Sequence, residues 1–244
     1  MQHRIIGTTM PVLEMTLQPN EMVFAESGEL SWISASINLR TSTSAGGQPG
    51  GFLNVLGRAV AGGSIFMTEY WALGGEGLVA FAAKLPGQIL PLEIGPGAGY
   101  MVHRHGFKCA LPGVQFTVGF QQRLGAGIFG GTGFRMQHLG GQGLAFVELH
   151  GEVVTYDLPP GNTLRVHPGH VGLFQDSVQF NVTTVPGIKN VLFGGDGLFL
   201  ATLTGPGRVW LQSMTLPHLA HAIAEYLPHS SGDGSLIGSM LRGS

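Results

Sequence analysis

Hydrophobic and polar residues alternate along much of this chain, and glycine or proline breaks the alternation every few residues. Phe116, Val118 and Phe120 alternate with Gln115, Thr117 and Gly119, and Phe180 and Val182 repeat the pattern. Ala145, Val147 and Leu149 alternate with Phe146, Glu148 and His150. Side chains along a strand point to opposite faces in turn, so a period of two predicts strands with one face on a core. Two stretches have helical spacing instead. Leu53, Leu56, Ala59 and Val60 predict one short helix ended by Gly62, after a loop-like "TSTSAGGQPGG" at 41–51. Leu216, Leu219, Ile223, Tyr226 and Leu227 predict a second at 215–228, with Pro217 suited to its first turn. The expected fold class is all-β, a β-sandwich with one short inserted helix and a C-terminal helix.

The strand patterns recur. "QFTV" begins at Gln115 and "QFNV" at Gln179, 64 residues on. "FGGTG" at Phe129 and "FGGDG" at Phe193 share that offset, as do "GQG" at Gly141 and "GPG" at Gly205. A looser first copy precedes them: "LGGEGLVAF" at 73–81 aligns with "LGGQGLAFV" at 139–147. Upstream, "PNEMVFAESG", "GAGYMVHRHG" and "PGNTLRVHPG" end at Gly28, Gly106 and Gly169. The spacing predicts three tandem repeats in a pseudo-threefold arrangement. Their expected bounds are about 1–90, 91–153 and 154–214, with an insertion of roughly a dozen residues in the first. The helix at 215–228 and a Gly/Ser-rich tail at 229–244 follow. Because the helix stands outside the repeats, its apolar face is expected to cover a seam where the first and last copies meet.

Composition narrows the function. The chain has 244 residues, of which 11% are charged, and a net charge of −2. Ordinary domains carry about 25% charged residues, so this surface has little to keep partners away, and self-association is expected. The arginines are spread singly, so no field is expected to draw nucleic acid. One cysteine, Cys109, sits in the apolar stretch "GFKCALPG" and is read as a buried, inert thiol. No run of apolar residues predicts a transmembrane segment and the N-terminus does not read as a targeting signal, so a cytoplasmic location is expected.

The candidate chemistry is sparse. The glycines of "FGGDGLFLATLTGPGRVW" lie between strand patterns, with no following helix whose N-terminal amides could meet a phosphate. The G-x-G-x-x-G at Gly125, Gly127 and Gly130 runs into another repeat turn. Both read as turns. The acids do not recur between copies: Glu76 aligns with Gln142 and Pro206, and Asp196 with Thr132. Histidine is enriched, with ten residues. His103 and His105 form H-x-H, which on a strand would put both rings on one face. His167 and His170 fall at the same place in the next copy, and His218, His221 and Glu225 share a helix face. Imidazole clusters suit zinc or copper, but neither pair is completed by an acid or a cysteine. No catalytic, cofactor-binding or metal-ligating residue is assigned, and no cofactor is expected.

The segments "FGGDGLFLATLTGPGRVWLQS", "LPGQILPLEI" and "GGSIFMTEYWALGGEG" resemble the altered-inheritance-of-mitochondria 24 (mitochondrial biogenesis) family, in its bacterial type, over about Gln2–Leu227. The resemblance implies a fold similar to the tryptophan RNA-binding attenuation protein, present in tandem copies. It brings no catalytic residues with it. Mitochondrial members are linked to inner-membrane organisation. The expected function is that of a non-catalytic scaffold or interaction protein, not an enzyme, that forms homo-oligomers or takes a protein partner. The alternative is a small-molecule or metal-binding protein with its site at a repeat junction, lined by His103, His105, His167 and His170.

Overall fold

The computed structural model describes residues 1–43, 66–122, 134–185 and 198–227. Nearly every described element is a strand. The first are β1 (Gln2–Ile6), β2 (Val12–Leu17), β3 (Met22–Glu26), β4 (Trp32–Ile33), β5 (Ile37–Thr43), β6 (Phe66–Ala72) and β7 (Gly77–Ala82). Next come β8 (Gly87–Ile94), β9 (Tyr100–His103), β10 (Phe107–Ala110), β11 (Val114–Gln122), β12 (Phe134–Gly141) and β13 (Gly143–His150). The last are β14 (Val153–Leu158), β15 (Thr163–Val166), β16 (Val171–Gln175), β17 (Gln179–Val185), β18 (Leu198–Thr204) and β19 (Gly207–Gln212). A 3-10 turn at Pro168–His170 and the helix α1 (Leu216–Ala224) complete the described elements.

The strands form four antiparallel sheets, in the orders β1-β2-β7-β4, β5-β6-β3-β10-β13-β8, β11-β12-β9-β16-β19-β14 and β15-β18-β17. One pairing scheme serves three stretches of chain. β2 pairs β7, β8 pairs β13 and β14 pairs β19. β5 pairs β6, β11 pairs β12 and β17 pairs β18. β3 pairs β6, β9 pairs β12 and β15 pairs β18. β4 pairs β7, β10 pairs β13 and β16 pairs β19. Two further ladders join these stretches, β3 to β10 and β9 to β16.

Three apolar clusters fill the spaces between sheets. Leu13, Met15, Val79 and Phe81 of the first sheet meet Val23, Tyr70 and Phe146 of the second. Phe24, Phe107 and Val147 of the second meet Val102, Phe116 and Leu139 of the third. Met136 and Phe174 of the third meet Val182, Phe199 and Leu203 of the fourth. The central strands of the second sheet therefore bury both faces: Val23 and Phe24 are neighbours in sequence but sit in different clusters. This corrects one reading of the alternation. In β13, Phe146, Glu148 and His150 do not face solvent; all six residues from Ala145 to His150 are buried.

The glycine runs that are described are turns. β18 passes into β19 through Gly205, Pro206 and Gly207, with strand on both sides. At the matching turn, Gly141 has φ +84°, and a Cβ there would lie 2.3 Å from the Gly113 carbonyl oxygen. Only glycine fits that turn. "FGGTG", "FGGDG", the inserted helix expected at 52–62 and the run Gly125, Gly127 and Gly130 lie outside the described residues.

The C-terminal helix forms where expected. Thr215 caps it, its Oγ1 accepting the His218 N–H at 3.3 Å, and Pro217 sits in the first turn. Its expected role as a cover is overturned. No residue of α1 is buried, and Ile223 and Tyr226 are 53% and 87% exposed. Among the described residues, the helix is tied down at its first turn, by the Thr215 cap and by the His218 ring against His167 and His170.

Candidate functional site: a buried charge network beside a histidine cluster

β10 reads Phe-Lys-Cys-Ala, and all four residues are buried. Its ladder with β13 shifts register between Phe107 and Cys109. Lys108 sits at that irregularity, where a strand can re-aim a side chain. The same shift occurs in β16 between Val171 and Leu173, where the intervening residue is Gly172. At 1% exposure, Lys108 must spend all three of its N–H donors inside the protein. Its Nζ donates to Glu29 Oε2 at 2.8 Å and to the Ala82 carbonyl at 2.9 Å, and it pairs with Glu148 Oε2 at 2.6 Å.

Both carboxylates are closed off as well. Glu29 comes from the β3–β4 connection, and its other oxygen takes the Lys84 ammonium. Glu148 projects from β13, and its Oε1 accepts the N–H groups of Lys84 at 2.9 Å and Leu85 at 3.2 Å. Two acids thus meet two lysines and balance in charge. Glu148 also fixes the link between β7 and β8.

The network continues through histidines. His103 Nε2–H donates to the Glu148 carbonyl at 3.0 Å, and its ring packs edge-on against His150 with centroids 5.1 Å apart. Burial, with the nearby His150 adding to it, pushes His103 down to about 3. Burial pushes His150 down to about 4. The His150 backbone N–H donates to Gln212 Oε1 at 3.1 Å. Gln212 Nε2 donates to the Gly169 carbonyl at 3.1 Å, and the Gln212 carbonyl accepts from His170 Nδ1–H at 2.8 Å. His167, His170 and His218 then stand as three rings, with centroids 5.5–5.9 Å apart. Burial, aided by His218 and His170, lowers His167 to about 4.

The sequence-derived candidates are partly brought together. His103 and His105 do not share a face, because β9 ends at His103 and the next two residues turn outward. His167 and His170 do meet, joined by His218 from α1. His221 lies 3.5 Å from Glu225 on the exposed helix. Among the described residues, no three His, Cys, Asp or Glu side chains stand where they could hold a metal ion. Cys109 is buried against the Met15 sulfur at 3.6 Å, and burial raises its thiol well above the ordinary range. A cavity of about 470 Å³ lies elsewhere, lined by Ile5, Thr8, Thr9, Pro86, Gln88 and Glu152 among others, and contains none of these groups. The Glu29–Lys84–Lys108–Glu148 network was missed in the sequence. Its one signal was a lysine inside the apolar run "GFKCALPG".

Two outcomes follow from this geometry. Lys108→Met leaves two buried carboxylates facing each other, and breaking a buried pair costs roughly 3–5 kcal/mol. Denaturant unfolding should register that loss, and Glu29→Gln with Glu148→Gln in the same chain should recover part of it. Unchanged stability in Lys108→Met would contradict the network. The second outcome concerns acid. His103 and His150 are neutral when folded but take protons at the ordinary value of about 6.5 when unfolded. The unfolded state therefore binds more protons below about pH 6.5, and stability falls as pH drops toward 4. Each histidine contributes a slope of up to roughly 1.4 kcal/mol per pH unit. His150→Gln should flatten the profile between pH 6.5 and 5, as read from unfolding midpoints in that window.

Residues 3–214 match the mitochondrial biogenesis AIM24 family. An uncharacterized protein of Streptococcus pyogenes serotype M6 is 26% identical over 224 residues, covering 91% of this chain and 88% of that protein. The crystal structure of a Streptococcus pyogenes protein superposes with a TM-score of 0.72 at 23% identity, covering 93% of this chain and 99% of the other, so the fold is shared. No described helix is long and apolar enough to cross a membrane. Titratable groups tied up inside the protein, together with this match, are consistent with a non-enzymatic protein. The chain belongs to the mitochondrial biogenesis AIM24 family.

Proposed function

We propose that this protein is a non-catalytic scaffold that associates with itself, built of three tandem units of six strands. The units run β2–β7, β8–β13 and β14–β19, with junctions near residues 84–86 and 151–152 rather than at about 90 and 153. The single pairing scheme, served three times, supports this reading. So does the 64-residue sequence offset, which falls on β11 and β17 and on the turns before β13 and β19. A fold similar to the tryptophan RNA-binding attenuation protein, in tandem copies, belongs to the same reading. A pseudo-threefold arrangement closed within one chain would pair β15 with β4, and that ladder is absent among the described residues.

The observation that carries self-association is this pair of open edges, on a surface with few charges to repel a partner. Apolar side chains add to it: Trp32, Ile223 and Tyr226 are exposed. A soluble cytoplasmic scaffold without nucleic acid is the setting that fits. Several of the cations are already neutralised, with Arg4 on Glu14, Arg40 on Glu69 and Arg208 on Asp157.

Size-exclusion chromatography with light scattering at rising concentration tests this reading. A mass above that of one chain, growing with concentration, is expected; a monomer at high micromolar concentration defeats it.

A further inference from the structure

The β4 edge of the first sheet and the β15 edge of the fourth are each other's missing halves. In the second sheet, β5-β6-β3 is joined to β10-β13-β8, and in the third, β11-β12-β9 is joined to β16-β19-β14. The fourth sheet, β17-β18-β15, stops where the next half would begin. The first sheet, β4-β7-β2, begins where a preceding half would end. Joined at β15 and β4, they would give the same six-strand order a third time.

The register follows from the ladders already made. Cys109 pairs with Ala25 and Ala110 with Phe24. Leu173 pairs with Val102 and Phe174 with Met101. Through their partners on β7, β13 and β19, Trp32 stands where Cys109 and Leu173 stand, and Ile33 where Ala110 and Phe174 stand. Through their partners on β6, β12 and β18, Val166 stands where Ala25 and Val102 stand, and Arg165 where Phe24 and Met101 stand. Trp32 should therefore lie opposite Val166, and Ile33 opposite Arg165.

The shortness of β4 is no obstacle, since the β3–β10 ladder itself has two residue pairs. Trp32 is 45% exposed and Arg165 is exposed, and among the described residues no strand pairs with the free side of either edge.

We infer that β15 of one chain pairs antiparallel with β4 of a second copy, so that chains join head to tail through a completed six-stranded core sheet. The inference rests on the self-association proposed above and specifies its surface. The contact uses two different patches, so assembly closes into a ring of two or more chains or continues as a filament.

Cysteine pairs test it on the full chain. Paired residues of an antiparallel ladder have Cα atoms about 4.5–5.5 Å apart, inside the disulfide range. Cys109 is buried and does not compete. Ile33→Cys mixed with Arg165→Cys, under mild oxidation, should give covalent dimers that neither variant forms alone. Ile33→Cys mixed with Thr163→Cys, two residues out of register, should cross-link roughly tenfold less, because diagonal neighbours lie about 7–8 Å apart. If Ile33→Cys fails to fold, Ser34→Cys with Leu164→Cys occupies the next pair of the same ladder. Light scattering that shows an oligomer without in-register cross-links would overturn the edge pairing and leave self-association standing. A monomer without cross-links would overturn both. A chain carrying Ile33→Cys and Arg165→Cys together that yields only an internally linked monomer would show that the edges close within one chain, and would also overturn the inference.

Discussion

Everything in this fold depends on sheets that are shared between successive stretches of chain. The ladders of β3 with β10 and of β9 with β16 are short, yet each turns two half-sheets into one six-stranded sheet with apolar clusters against both faces. A strand in that position cannot be half polar. β10 and β16 accordingly read as near-continuous apolar runs, and β3 places Val23 and Phe24 in different clusters. The outer sheets have no such burden, and β2 alternates cleanly between buried and half-buried residues.

Burial on both faces also explains the charge network. The junction between the first two stretches needs Glu148 to hold the N–H groups of the β7–β8 link, and a buried carboxylate needs a counter-charge. Lys108 supplies it from the irregularity in β10. The following junction solves the same problem without charge: Gln212 holds the His150 N–H, and Gly172 stands where Lys108 would. The histidines lie along this line of linkages. That position, more than any chemistry, accounts for their recurrence in the sequence.

Much of the fold could be read from the sequence. The 64-residue offset fell on real strands and turns, because a turn such as that at Gly141 admits no other residue and so leaves a fixed mark. "PNEMVFAESG", "GAGYMVHRHG" and "PGNTLRVHPG" mark β3, β9 and β15. The sites were less legible. Periodicity reports which residues share a face, not what covers that face, so Glu148 and His150 looked solvated. The H-x-H of His103 and His105 failed because the strand ended one residue too soon for both rings to face one way. The helix face of Leu216, Leu219 and Ile223 was real, but amphipathicity cannot say whether a seam lies beneath it. Glu29, Lys84 and Lys108 come from three separate places in the chain, and no local pattern joins them.

The central claim is that the edges of β4 and β15 are unfinished halves of one sheet, completed between copies. Hydrogen exchange on the full chain at two protein concentrations tests it most directly. The account predicts that amides at residues 31–34 and 162–166 gain protection as concentration rises, while those of β3, β9 and β10, whose ladders lie within the chain, stay equally protected. Protection at 31–34 and 162–166 that is indifferent to concentration, whether high or absent, would contradict it.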